Sequence, residues 1–85
     1  MNRLTERNIE GHYIIADENI ENAIQKLGIF EDAYESLMES QEQIPKELES
    51  LRLNGKEKTV TYREAMARKM MNNNIVMFFE KHGMK

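Results

Sequence analysis

The sequence predicts a mainly α fold of the α+β class, with a short N-terminal β-hairpin packed on a bundle of three to four helices. Three observations predict it. Turn-forming residues at 8–11 are followed by a run of strand formers. Apolar residues then recur at spacings of three and four from Ile20 to Met38. Finally, one proline and four glycines in 85 residues leave room for long helices. That length suits one domain, 1–85, whose single core leaves a small net stability. Chains this small often gain stability from a staple, a metal or a second copy.

The hairpin is expected over residues 2–16. Asn8-Ile9-Glu10-Gly11 supplies the turn, and His12-Tyr13-Ile14-Ile15 favours extended backbone. Two strands alone are marginal in water, so the hairpin needs a helix to lean on. Asp17 is the expected N-cap of the first helix, about 18–41, with Glu18 and Glu21 in the turn where the helix dipole favours negative charge. Ile20, Ala23, Ile24, Leu27, Phe30, Tyr34, Leu37 and Met38 form its apolar face. Gly28 interrupts this helix and predicts a kink or a close-packed backbone. Glu31 falls within the apolar face of a straight helix and Ile29 points away from it. A kink at Gly28 would account for both; alternatively Glu31 pairs with a basic residue at the core edge and Ile29 is an exposed partner contact.

Pro45 suits the first turn of a short helix, about 46–54, with Leu48 and Leu51 inward and Gly55 at its end. Thr61 and Glu64 match a capping box that would open a helix over 62–71. The run Asn72-Asn73-Asn74 disfavours helix interior and predicts a break before a last helix over 74–82, with Ile75, Phe78, Phe79 and His82 on one face and Gly83 at its end. No internal repeat or linker is visible.

Hydrophobic residues make up 40% and charged residues 32%, which permits a core and disfavours wholesale disorder. The absence of cysteine excludes disulfides and thiolate metal sites, and suits a reducing compartment. Seven methionines suit either an adaptable helical core or a plastic binding surface. Charges at Arg3, Glu6 and Arg7 interrupt any signal-peptide core, and the longest apolar run, Ile75 to Phe79, is too short to span a bilayer. A cytoplasmic location is therefore expected.

Charge is segregated. Residues 17–50 carry ten acids against two lysines, a net −8, whereas residues 51–85 carry eight bases against three acids, a net +5. Three arrangements account for this. Acidic and basic helices lie side by side or are simply solvated. Alternatively, an acidic ridge faces a basic partner: at 100° per residue Glu21, Asp32, Glu35 and Glu39 share one flank, beside the apolar face. Such a flank competes for a cleft built to hold phosphates and speeds encounter with a basic protein. In the third arrangement Lys56, Lys58, Arg63, Arg68 and Lys69 touch nucleic acid, as two helices meeting near Asn72 would in a helix-turn-helix. Opposing it are a pI of about 5.4 and the nearby acidic segment.

Catalysis needs a constellation of groups, and none assembles in the sequence. His12 and His82 lack any metal-ligand spacing, and His82 is better placed as a favourable charge at a helix end. Asn54-Gly55-Lys56 lacks the rest of a phosphate-binding loop, and Glu31-Asp32-Ala33-Tyr34 lacks the spaced acids and glycine of a calcium loop. Neither enzyme activity nor a cofactor is expected.

Two stretches carry a resemblance. Arg3-Leu4-Thr5-Glu6-Arg7 followed by Ala23-Ile24-Gln25-Lys26-Leu27-Gly28-Ile29-Phe30-Glu31-Asp32 resembles small phage and prophage accessory proteins, which read RLT.R and then AI..L..YED. The stretch Gly55-Lys56-Glu57-Lys58-Thr59-Val60-Thr61-Tyr62-Arg63-Glu64 through Lys69, and on to Phe79-Glu80-Lys81-His82-Gly83, is similar to another piece common in them. Phe30 stands where the set has Tyr. The resemblance covers most of the chain and implies a phage accessory protein acting in a bacterial host. Small acidic proteins of this kind include inhibitors of host defence, notably anti-CRISPR proteins that block a Cas nuclease.

Together these readings lead to the expectation of a non-enzymatic inhibitor of a Cas9-type defence nuclease. Its partner-binding residues would be Glu21, Asp32, Glu35 and Glu39, with Ile29 as apolar anchor, occupying a basic groove meant for DNA. The alternative is a small nucleic-acid-binding or regulatory protein using Arg63, Arg68 and Lys69. A homodimer is a third expectation, from the small core and the methionine content.

Overall fold

A computed structural model describes residues 3–84. They form strands β1 (Thr5–Arg7) and β2 (Tyr13–Ile15), a 3-10 turn (Asp17–Asn19), and helices α1 (Ile20–Leu53) and α2 (Val60–Lys81). The chain divides into two compact units that meet between Tyr34 and Glu35, so α1 contributes to both.

The first unit begins with the hairpin. Strands β1 and β2 pair antiparallel in the register Thr5↔Ile15, Glu6↔Ile14, Arg7↔Tyr13. Asn8 builds the turn, its Oδ1 accepting from the backbone N–H groups of Glu10 at 3.0 Å and His12 at 2.9 Å. Gly11 takes a φ of +82°, which a side chain would resist. Across the strands the Arg7 guanidinium donates to the Tyr13 hydroxyl at 2.7 Å. The hairpin thus forms as expected; its expected start at residue 2 lies outside the described residues.

Asp17 is not the N-cap. The Ala16 carbonyl accepts from Asn19 N–H at 2.8 Å, which opens the 3-10 turn with Asp17 already inside it. The helix then runs through Gly28, where an added Cβ would meet nothing within 4 Å. No neighbouring backbone therefore explains that glycine.

The second unit holds the buried core of Ile44, Leu48 and Ala65, with Tyr62 and Met66 packed against it. Two expected breaks do not occur. The separate helices expected at 18–41 and 46–54 are one helix, with Pro45 inside it. An interior proline costs about 3 kcal/mol, whereas burying Ile44 and Leu48 stabilises by roughly 1.5–3 kcal/mol each. A break at Pro45 would turn Ile44 away from the face it shares with Leu48. Burial wins.

Likewise the helices expected at 62–71 and 74–82 are one helix that continues through Asn72-Asn73-Asn74. Asn73 is held by Gln41, whose side-chain amide donates to its Oδ1 at 3.0 Å, and Lys69, Asn72, Val76 and Phe79 present one half-buried face. Among the described residues the expected three to four helices are therefore two. The start of α2 also differs: the cap is Thr59, not Thr61. The Thr59 backbone is extended, and its hydroxyl accepts from Tyr62 N–H at 3.2 Å while donating to the Lys56 carbonyl at 2.7 Å.

Both helices end as expected on glycine. Gly55 and Gly83 take φ values of +68° and +97°. In each case the glycine N–H bonds three residues back and the next N–H five residues back, as in a Schellman cap: Lys56 to Leu51 at 2.8 Å and Met84 to Phe79 at 2.9 Å.

Candidate functional site

Helix α1 carries the candidate site, and its periodicity sorts the residues. Ile20, Leu27, Tyr34, Gln41 and Leu48 recur every seven residues, and Ala23, Phe30, Leu37, Ile44 and Leu51 follow each by three. These are the a and d positions of a heptad seam. In the second unit α2 covers this seam: Ala65 packs on Ile44 and Leu48. In the first unit no described residue is buried.

There the seam faces the hairpin across an open groove of about 580 Å³. Leu4, Thr5 and Ile15 line one side, and Ile20, Ala23, Ile24, Leu27 and Phe30 the other, with Arg3 and Lys26 supplying charge. Its wall is mainly apolar. Ile20, Ile24, Leu27 and Phe30 keep 38–61% of their surface exposed. At 1.5–3 kcal/mol for full burial of each, the four together forgo roughly 3–6 kcal/mol. That equals the net stability of many domains this size.

The five expected partner-binding residues all lie exposed on α1. Glu21, Ile29 and Asp32 belong to the first unit, Glu35 and Glu39 to the second. Among the described residues none of the four carboxylates has an ion-pair partner. Ile29 is 70% exposed and lies off the heptad seam. The groove beneath the hairpin was not anticipated from the sequence, although the seven-residue recurrence from Ile20 was the signal that could have found it.

On α2 the basic residues fare differently. Arg68 Nη2 donates to both carboxylate oxygens of Glu47 at 3.0 Å, which ties a basic residue of α2 to an acidic one of α1. Lys69 is half-buried and Arg63 exposed, while Lys56 and Lys58 sit in the α1–α2 connection. Of the three residues in the nucleic-acid reading, Arg68 is thus already engaged by an acid. At the C-terminal end of α2, His82 rests against Phe78 with ring centroids 4.7 Å apart.

Among the described residues no three histidine, aspartate or glutamate side chains gather as metal ligands, and no helix is long and apolar enough to cross a membrane. Compared with known protein families, curated proteins and solved structures, the chain matches none.

Proposed function

We propose that this chain is a non-enzymatic inhibitor that binds a basic, nucleic-acid-processing protein of a bacterial host, a nuclease of the Cas9 type. The reading rests on the exposed acids of α1, Glu21 and Asp32 in the first unit and Glu35 and Glu39 in the second, which have no ion-pair partner among the described residues. Carboxylates already neutralised by lysines would have little field to offer; these keep theirs. Exposed Ile29 adds an apolar contact that resists high salt. Such a helix occupies a groove shaped for phosphates and excludes the nucleic acid by competition.

The test is binding of the purified chain to a purified Cas9–guide complex at low and moderate salt, beside a DNA-cleavage assay. Binding should weaken as salt rises, and Asp32→Lys/Glu35→Lys should weaken it at least tenfold, about 1.4 kcal/mol. Unchanged affinity in that variant would sink the occlusion reading. Binding of duplex DNA by the free chain would favour the nucleic-acid alternative instead.

A further inference from the structure

We propose that the groove between the hairpin and α1 binds a fatty acid, its acyl chain lying along the apolar walls and its carboxylate on Arg3. The walls set the chain. Leu4 and Ile15 of the hairpin stand opposite Ile20, Ile24 and Leu27 of α1. A volume of about 580 Å³ is that of a small-molecule site; it is too small for a packed helix and leaves no place for the second chain of a phospholipid. From Ile20 to Phe30 the helix wall is about 15 Å long, which an extended chain of about a dozen carbons matches. No described residue of this unit is buried, and Ile24 and Leu27 keep 61% and 58% of their surface exposed. Methylenes entering the groove therefore remove apolar area from water on both partners.

Charge selects the head group. Arg3 lines the groove and is exposed, and no described acid pairs with it. Its Nε–H donates to the carbonyl and hydroxyl oxygens of Thr5, both at 3.2 Å, and its guanidinium lies 5.8 Å from the centroid of the Tyr13 ring. These contacts hold the guanidinium in place through Nε and its face. Both terminal NH2 groups stay available, and that edge matches a carboxylate bidentately. Arg7, 4.7 Å from the same ring and likewise without a described acid partner, adds positive charge beside it. An anionic head is thus favoured over a neutral or cationic one. Lys26 also lines the groove but is engaged within the chain, so Arg3 alone is assigned the carboxylate. The acids Glu21 and Asp32 of the proposed function project from the other side of α1, so either reading stands without the other.

Isothermal titration calorimetry of the whole chain with octanoate, decanoate and dodecanoate, each below its micelle concentration, is the test. One molecule should bind per chain, and each two added carbons should tighten binding about fivefold, because an open groove buries each methylene in part. Leu27→Glu should weaken decanoate at least tenfold while keeping its helical circular dichroism, since Leu27 lies outside the buried core. Gln25→Glu, on the far side of α1, should bind as the parent does. Arg3→Ala should weaken decanoate about fivefold, as expected for an exposed ion pair, and leave the neutral decanol unchanged. Absence of binding across the series overturns the proposal, and so does binding of several molecules per chain, the mark of surfactant adsorption. An unchanged Leu27→Glu variant overturns it too, as does an Arg3→Ala variant that affects both ligands alike. Co-sedimentation with phosphatidylglycerol vesicles, without binding of monomeric decanoate, would assign the groove to a membrane surface instead.

Discussion

The two glycines Gly28 and Gly55 have opposite chemistry despite a common side chain. Gly28 lies inside α1 in ordinary helical backbone, and a Cβ there meets nothing within 4 Å. Gly28→Ala should therefore stabilise by about 1 kcal/mol, the usual difference in helix propensity. Gly55 has a φ of +68° and closes α1 by donating to the Arg52 carbonyl at 3.0 Å. Gly55→Ala forces a Cβ into left-handed backbone and should destabilise by about 1–2 kcal/mol. In a chain of this size 1 kcal/mol moves the melting temperature by roughly 4–8 °C, so thermal unfolding followed by circular dichroism resolves both signs. Equal responses would mean that Gly28 does have a packing role.

At the scale of elements, each helix runs through residues that ordinarily break one. Pro45 lacks the N–H that would bond to the Gln41 carbonyl, yet Ile44 beside it and Leu48 beyond it are both buried. Local cost and core burial can be separated experimentally. Pro45→Ala should stabilise, by at most about 3 kcal/mol, because it restores a hydrogen bond and removes a clash. Urea unfolding read at the midpoint checks this, and a loss of stability would show that the proline ring packs usefully. In α2 the three asparagines cost at most about 0.7 kcal/mol each, and the half-buried face on either side of them outweighs that.

For the whole molecule, the relevant quantities are a buried core of three residues among those described and a half-exposed apolar seam at Ile20–Phe30. A homodimer, expected from the small core and the methionine content, would link folding to association. The melting temperature should then rise with protein concentration, because mass action stabilises whichever state binds its partner. A melting temperature constant over a hundredfold range of concentration would count against the dimer. The charge sorting has a matching consequence. Glu47 and Arg68 join across the second unit but are 39% and 53% exposed, so the pair adds little stability, whereas the exposed acids of α1 keep a field that acts at a distance.

What was legible from the residues alone is what short-range chemistry decides. The turn at Asn8–Gly11 followed from an amide that bonds nearby backbone and a glycine that tolerates positive φ, and the stops at Gly55 and Gly83 followed for the same reason. The apolar face of α1 could be read because side-chain direction along a helix is periodic. Tertiary structure decided everything that set a local preference against a distant contact. Pro45 and the asparagine run signal breaks, but long-range burial of Ile44, Leu48 and Ala65, together with the Gln41–Asn73 bond, exceeds the penalty at those sites. Which stretch of the seam is covered was decided in the same way. The heptad runs from Ile20 to Leu51 with Gln41 as its polar position, and only the fold shows that α2 fills it around Ile44 and Leu48 while the groove at Ile20–Phe30 stands open.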